Sequence, residues 1–178
     1  GEFHGEDFLD DQGHGGPPTR IKVRIVKQLD ELEFDFNGSA PANPSGYNMT
    51  LCSLVAACRI ILKAIIDPRG STNDGSFRPL TVTAPAGSVV NAIHPTPVSL
   101  YGEPGRRAID AVLRALAPVI PDRLPAGHYG TIAGVAMAGW DDRTDPPTWA
   151  SFQGPNGGGW GASLGRDGES ALCCITNG

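Results

Sequence analysis

The feature that most constrains this chain is a change of hydrophobic period between Leu32 and Asp67. Leu32, Phe34 and Phe36 alternate with Glu33 and Asp35, the period of a strand with one buried face. Gly38, Pro41, Pro44 and Gly46 then interrupt regular structure. From Asn48 the period becomes helical, with Leu51, Leu54, Val55, Cys58, Leu62 and Ile65 on one stripe. Asn48 is the expected N-cap, and Asp67-Pro68 ends the run because proline disfavours helix at the preceding residue. Ala56, Ala57, Ile60, Ile61 and Ile66 widen the stripe, so this helix, Asn48 to Ile66, is expected to be buried on most sides.

Around it the chain reads as α+β: antiparallel strands packed with two main helices, rich in loops. Ile21, Val23 and Ile25 alternate with Arg20, Lys22 and Arg24, which predicts a strand over Thr19–Lys27 that pairs with Leu32–Phe36 as a hairpin. Lys22 and Arg24 then face Glu33 and Asp35 across it. A short strand follows at Leu80, Val82 and Ala84. The second helix is expected over Gly105–Val119, with Ile109, Val112, Leu113, Leu116 and Val119 as its stripe. Arg106, Asp110 and Arg114 would form a charge ladder on its surface. Further strands are expected over Thr131–Ala138, Trp149–Gln153 and Ser170–Ile175, with a polar loop over Trp140–Thr148.

Bulk properties exclude several classes. A chain of 178 residues holds one domain with a real core. The formal charge of −5, with no basic run, argues against nucleic acid as a partner. The long helix approaches the length of a membrane span but carries Asn48, Ser53, Arg59 and Lys63, so it reads as a core helix and no membrane is expected. Cys52 and Cys58 lie six apart on one helix and Cys173 and Cys174 are adjacent; neither is a disulfide pattern or a zinc-ligand spacing. With no signal-like apolar run in the opening residues, the cysteines are expected to be reduced and the protein cytoplasmic. Residues Gly1 to Pro18 concentrate Glu2, Glu6, Asp7, Asp10 and Asp11 with His4 and His14. The simpler reading is a solvated lead-in, partly packed through Phe3, Phe8 and Leu9; the competing one is a catalytic or cation-binding carboxylate cluster.

Several blocks together resemble the hydantoinase B / 5-oxoprolinase family. They are Asp10-Asp11-Gln12-Gly13, then Asp35-Phe36-Asn37-Gly38-Ser39 with Gly46-Tyr47-Asn48, then Asn73-Asp74-Gly75 with Arg78-Pro79, Pro85-Ala86-Gly87-Ser88 and Asn91. Arg107 to Asp110 matches the family's arginine-x-x-aspartate, which implies a buried pair there. Gly157-Gly158-Gly159-Trp160-Gly161 with Asp167-Gly168 matches its glycine-rich signature. The chain departs from the family at Gly127-His128-Tyr129-Gly130, where serine-glutamine-glycine and paired asparagines are usual. It departs again at Cys173-Cys174, where histidines are common.

The resemblance covers essentially the whole chain but only the middle of a family subunit, so residues 1–178 are expected to be a single domain or a central fragment. It implies an ATP-dependent hydrolase that opens a cyclic amide such as 5-oxoproline, a hydantoin or a lactam. The partner would be a hydantoinase A-like subunit in a hetero-oligomer. ATP and Mg would sit on that partner, and any divalent metal in a segment before this chain, with none held here. The small-molecule substrate would meet Asn48, Asn73 and Arg78, with Asp10, Asp11 and His128 as catalytic candidates. Competing readings are a subunit of an ATP-dependent ketone carboxylase of the acetone or acetophenone type, and a structural module inactive alone.

Overall fold

A computed structural model describes residues 1–10, 15–131 and 134–172. The first strand, β1 (Glu2–Leu9), lies in the stretch expected to be a solvated lead-in. Its period is two: Phe3, Gly5, Asp7 and Leu9 turn inward while Glu2, His4, Glu6 and Phe8 stay exposed. Glycine and aspartate at two inward positions hide the apolar alternation. β2 (Thr19–Gln28) pairs antiparallel with β1 on one side and with β3 (Glu31–Asp35) on the other. Ile21, Val23, Ile25, Phe34 and Phe36 are fully buried, as their alternation requires. Of the expected cross-strand charges, Arg24 does meet Asp35 at 3.6 Å and also reaches Glu2 at 3.4 Å. Lys22 instead lies opposite Glu6 of β1.

Helix α1 (Leu51–Ile66) carries the chain from β3 to β4 (Leu80–Thr83). β4 pairs with β3 in parallel, a departure from the expected antiparallel arrangement. A parallel neighbour needs a long crossover, and α1 supplies it. The resulting sheet has the order β1-β2-β3-β4. Thr50, not Asn48, caps α1, its hydroxyl accepting from the Ser53 N–H at 3.3 Å. Leu54, Ala57, Cys58, Ile61, Leu62 and Ile65 are buried, but Leu51, Cys52, Ala56, Ile60 and Ile66 are exposed. The helix therefore buries one face, not most of its surface. Cys52 and Cys58 are free thiols. No helix among the described residues is long and apolar enough to cross a membrane.

Asn48 is fully buried in the turn that precedes α1. Its Oδ1 accepts from the Asn43 N–H at 2.9 Å, and its Nδ2 donates to the carbonyls of Asn43, Ser45 and Pro97 at 2.9, 2.7 and 2.9 Å. One amide thus satisfies the proline-interrupted loop and ties it to the segment before the next helix. That is a structural task for a residue expected to contact substrate.

The second helix, α2 (Gly102–Leu116), begins three residues earlier than expected and ends at Leu116. It lies across β1 and β2 and against α1. Close approach to β1 depends on Gly5, because a Cβ there would strike the Ala111 carbonyl. Arg106 and Asp110 are buried, so the expected surface ladder is an interior feature; Arg114 is more exposed. Beyond α2 a hairpin of β5 (Gly134–Asp141) and β6 (Thr148–Pro155) stands apart from the four-stranded sheet. It extends into the residues expected to be a polar loop, with Trp140 paired to Trp149. Ser170–Leu172 turn and do not form a strand; Cys173 and Cys174 lie outside the described residues.

Replacing Asn48 by alanine removes four side-chain hydrogen bonds to partly buried backbone groups, each costing up to about 1–3 kcal/mol when lost. We expect N48A to lower the unfolding free energy by on the order of 3 kcal/mol, measured by urea denaturation. Thr50→Ala should cost only about 1 kcal/mol.

Candidate functional site

The site grows from four charged side chains, Asp7 of β1 and Arg107, Asp110 and Arg114 of α2. Arg107 of α2 donates from Nη1 to Asp7 Oδ2 of β1 at 2.8 Å, across one hundred residues of chain. Its Nη2 lies 3.4 Å from Asp110 Oδ2, one helical turn on. Arg114 reaches the other oxygen of Asp7 at 3.3 Å. Asp7 and Asp110 are almost completely buried, while the Arg107 side chain keeps 16% of its surface exposed. The family-like arginine and aspartate are thus the buried pair that the resemblance implies.

His128 closes this cluster from above. Its ring is fully buried, with Nε2 3.4 Å from Asp110 Oδ1. Trp160 stands edge-on to it at 5.2 Å and Tyr129 at 6.0 Å. Its Nδ1 accepts from the Gly130 N–H at 2.8 Å, so the neutral ring carries its proton on Nε2. Burial, together with the Arg107 and Arg106 guanidiniums, pushes the imidazole down to about 4, against the opposing pull of the Arg106 carbonyl and Asp7. Burial raises the Asp110 carboxyl to about 6 even though Arg107 and Arg114 favour its charge. At neutral pH the cluster therefore holds an uncharged imidazole against an ionised Asp110. Three of its buried atoms, Arg107 Nε, Asp110 Oδ1 and His128 Nε2, have no well-formed hydrogen bond among the described residues.

The loop carrying His128 is moulded onto Arg107. Gly130 has φ 82°, and a Cβ there would land on the guanidinium. The glycine-rich run packs behind the same loop. Gly161 donates to the Gly127 carbonyl at 2.6 Å, and Ala126 donates to the Ala162 carbonyl at 2.8 Å. Those glycines bring backbone against backbone.

A cavity of about 330 Å³ opens on the outer side of Arg107, walled by Asp10, Tyr47, Glu103, Tyr129 and Thr131. Glu103 lies one turn before Arg107 on α2, and the Thr131 hydroxyl donates to its Oε1 at 3.0 Å. A guanidinium, two carboxylates and two tyrosines thus line a space the size of a small organic molecule. No group of three or more His, Cys, Asp or Glu side chains among the described residues is arranged to hold a metal ion.

The candidates from the sequence divide as follows. Asp10 lines the cavity. His128 lies behind its wall and touches Asp110. Asn48 is buried next to the cavity-lining Tyr47. Asn73 caps the short turn Asp74–Phe77, which Arg78 ends; both are exposed and outside the cavity lining. Asp11 lies outside the described residues. Sequence reading did not single out Tyr47, Glu103 or Thr131. Asp7 stood in the acidic opening cluster, but nothing local marked it as the partner of Arg107.

The hydantoinase B/oxoprolinase family model matches residues 1–178. The chain belongs to this family. A 5-oxoprolinase of Pestalotiopsis fici is 31% identical over 171 residues, covering 93% of this chain and 12% of that protein. Among solved structures, an ATP-dependent caprolactamase from Pseudomonas jessenii superposes with a TM-score of 0.81 at 27% identity, over 96% of this chain and 30% of that one. An acetone carboxylase shares the fold at the same TM-score but at 16% identity, over 97% of this chain and 25% of that one. The chain spans between 7% and 30% of the length of five curated relatives it matches.

Two predictions follow from the cluster. Gly130→Ala should displace Arg107 or the loop and cost about 2 kcal/mol of stability, read by thermal and urea unfolding. The second concerns pH. His128, lowered from 6.5 to about 4, gives stability that is lost as pH falls through that window. Asp110, raised from 3.8 to about 6, gives stability that is lost as pH rises through its own. Between pH 4 and 6 the pair holds one proton both folded and unfolded, so the two slopes oppose. Asp110→Asn should make stability fall towards acid over this range, and His128→Gln should make it rise. Urea titrations at stepped pH test both.

Proposed function

We propose that this chain is part of the B-type subunit of an ATP-dependent hydrolase that opens a small cyclic amide. The candidates are 5-oxoproline, a hydantoin or a lactam, and the work is shared with a hydantoinase A-like subunit in a hetero-oligomer. The observation that carries the reading is the family match over residues 1–178. The likeness to a caprolactamase supports the substrate class.

The chemistry suits the cavity. A cyclic amide is a poor electrophile, and ATP with Mg on the partner subunit would supply the phosphoryl group that activates its oxygen. This chain would contribute binding and placement. Arg107 presents N–H groups to an oxygen that gains negative charge, where preorganised donors act most strongly. Asp10, at the cavity wall, is the carboxylate available to take a proton from water. His128 is a positioning residue: neutral and enclosed, it backs Asp110, which in turn holds Arg107.

The fold shared with acetone carboxylase keeps ketone carboxylation as the second reading. In both readings the chain alone is inactive. We expect the protein purified with its A-like partner to consume a cyclic amide and ATP together, and the chain without that partner to turn over neither. Bicarbonate-dependent carboxylation of a ketone, with no cyclic amide opened, would replace the hydrolase reading with the carboxylase one. Activity should fall at least tenfold in Arg107→Lys, because lysine lacks the planar fork that matches Asp7 and Asp110 together.

A further inference from the structure

We propose that the β5–β6 hairpin docks on the outer face of α1 in a second copy of this chain, and that the exchange is reciprocal, giving a two-fold dimer. This is independent of the catalytic reading above.

Two surfaces of the chain lie open where their chemistry asks for cover. The hairpin stands apart from the four-stranded sheet, and a two-stranded ribbon by itself is at best marginally stable in water. Trp140 and Trp149 pair edge-on on one of its faces, 70% and 59% exposed. Val135, Met137 and Phe152 are exposed on the other. Helix α1 has the same defect. Cys52, Ala56, Ile60 and Ala64 follow at four-residue spacing as an exposed apolar ridge. A helix that is apolar on both sides belongs between two packed layers, and this chain covers one side only.

Charge decides which surface meets which. The hairpin tip carries Asp141, Asp142 and Asp145 against Arg143. Arg143 is held by both oxygens of Asp141 at 2.8 Å, which leaves Asp142 and Asp145 exposed with no cationic partner among the described residues. Beside α1 the sign is reversed. Arg59 pairs with Asp74 at 3.3 Å and Lys63 with Asp67 at 2.7 Å. Arg69 and Arg78 are then exposed with no anionic partner among the described residues. Arg59 also lies 5.1 Å from the Phe77 ring centre, so the turn Asp74–Phe77, with Arg78 directly after it, stands against the helix. An apolar stem with two unpaired carboxylates at its tip thus matches an apolar ridge with two unpaired guanidiniums at one end. The lengths agree: sixteen helical residues span about 24 Å, and eight strand residues span about 26 Å. The tryptophan face docks, because it adjoins the acidic tip.

Area argues for the reciprocal form. The two indoles leave on the order of 300 Å² of each copy in water. One hairpin on one helix therefore falls short of the roughly 1,200 Å² at which specific interfaces begin, and a two-fold pair of such contacts reaches about that size.

The protein purified without any other chain is examined by sedimentation velocity over a range of concentrations. A dimer is expected. Asp142→Arg with Asp145→Arg should weaken it about tenfold or more, and Arg69→Asp with Arg78→Asp should do the same. All four changes together should restore it to within about threefold of the unaltered protein. Thermal melts check that each variant is folded, and all four positions are exposed. A monomer at every concentration overturns the proposal; if both indoles are then protected from oxidative labelling, their cover lies within one molecule. A dimer that neither pair of changes weakens, or that the fourfold variant does not restore, places the contact elsewhere and overturns it too. Assemblies that keep growing with concentration overturn the two-fold exchange. Protection of the indoles only when an A-like chain is added overturns the second copy as the occupant.

Discussion

The ion pair between Asp7 and Arg107 joins the first strand to the second helix, and the site is built on it. Both charges are largely out of water, and removing either would leave the other uncompensated in the interior. Breaking such buried pairs typically costs about 3–5 kcal/mol. Arg114 and Asp110 complete the balance, so two carboxylates face two guanidiniums across the β1–α2 contact. Gly5 permits that contact by letting the α2 backbone lie directly on β1. Arg107 then has one edge held by carboxylates and a small exposed remainder facing the cavity.

The loop from Gly127 to Thr131 depends on this arrangement in turn. It folds over the guanidinium at Gly130, orients Glu103 through Thr131, and buries His128 above Asp110. Burial, and after it the positive charges of Arg107 and Arg106, keeps the ring neutral, and its Nε2–H faces the aspartate. The glycine-rich run, with Trp160 against the ring, supports the loop from behind. Its glycines serve close backbone packing here, the second of the two uses open to a glycine run, ligand approach being the other.

Local pattern carried much of the fold. β2, β3 and both helices follow from apolar alternation and helical stripes, although Leu51 and Val119 of those stripes are exposed and the buried Ala108, Ala111 and Ala115 lay outside them. β1 was obscured because Gly5 and Asp7 occupy inward positions, and their reasons for being there lie in α2. The parallel pairing of β4 was equally hidden, since strand direction depends on where the crossover helix delivers the chain. Asn48 was recognisable as a special residue, but its cap-like position suggested the wrong task. Thr50 caps, and Asn48 satisfies a loop whose other partner, Pro97, is far along the chain.

The sequence by itself determined the family, the α+β class, most of the core stripes and, through the resemblance, the Arg107–Asp110 pair. These rest on neighbours a few residues apart, which set period, turns and i, i+3 pairs. Tertiary structure alone decided that Asp7 meets Arg107, that Asp10 lines the cavity and His128 lies behind it, and that Asn73 and Arg78 stand outside its lining. It also decided which face of α1 and which apolar side chains of β5 and β6 remain exposed. The physical reason is the same throughout. A buried charge is tolerable only where a distant element brings its partner, and side-chain chemistry records the need for that partner without recording which residue supplies it.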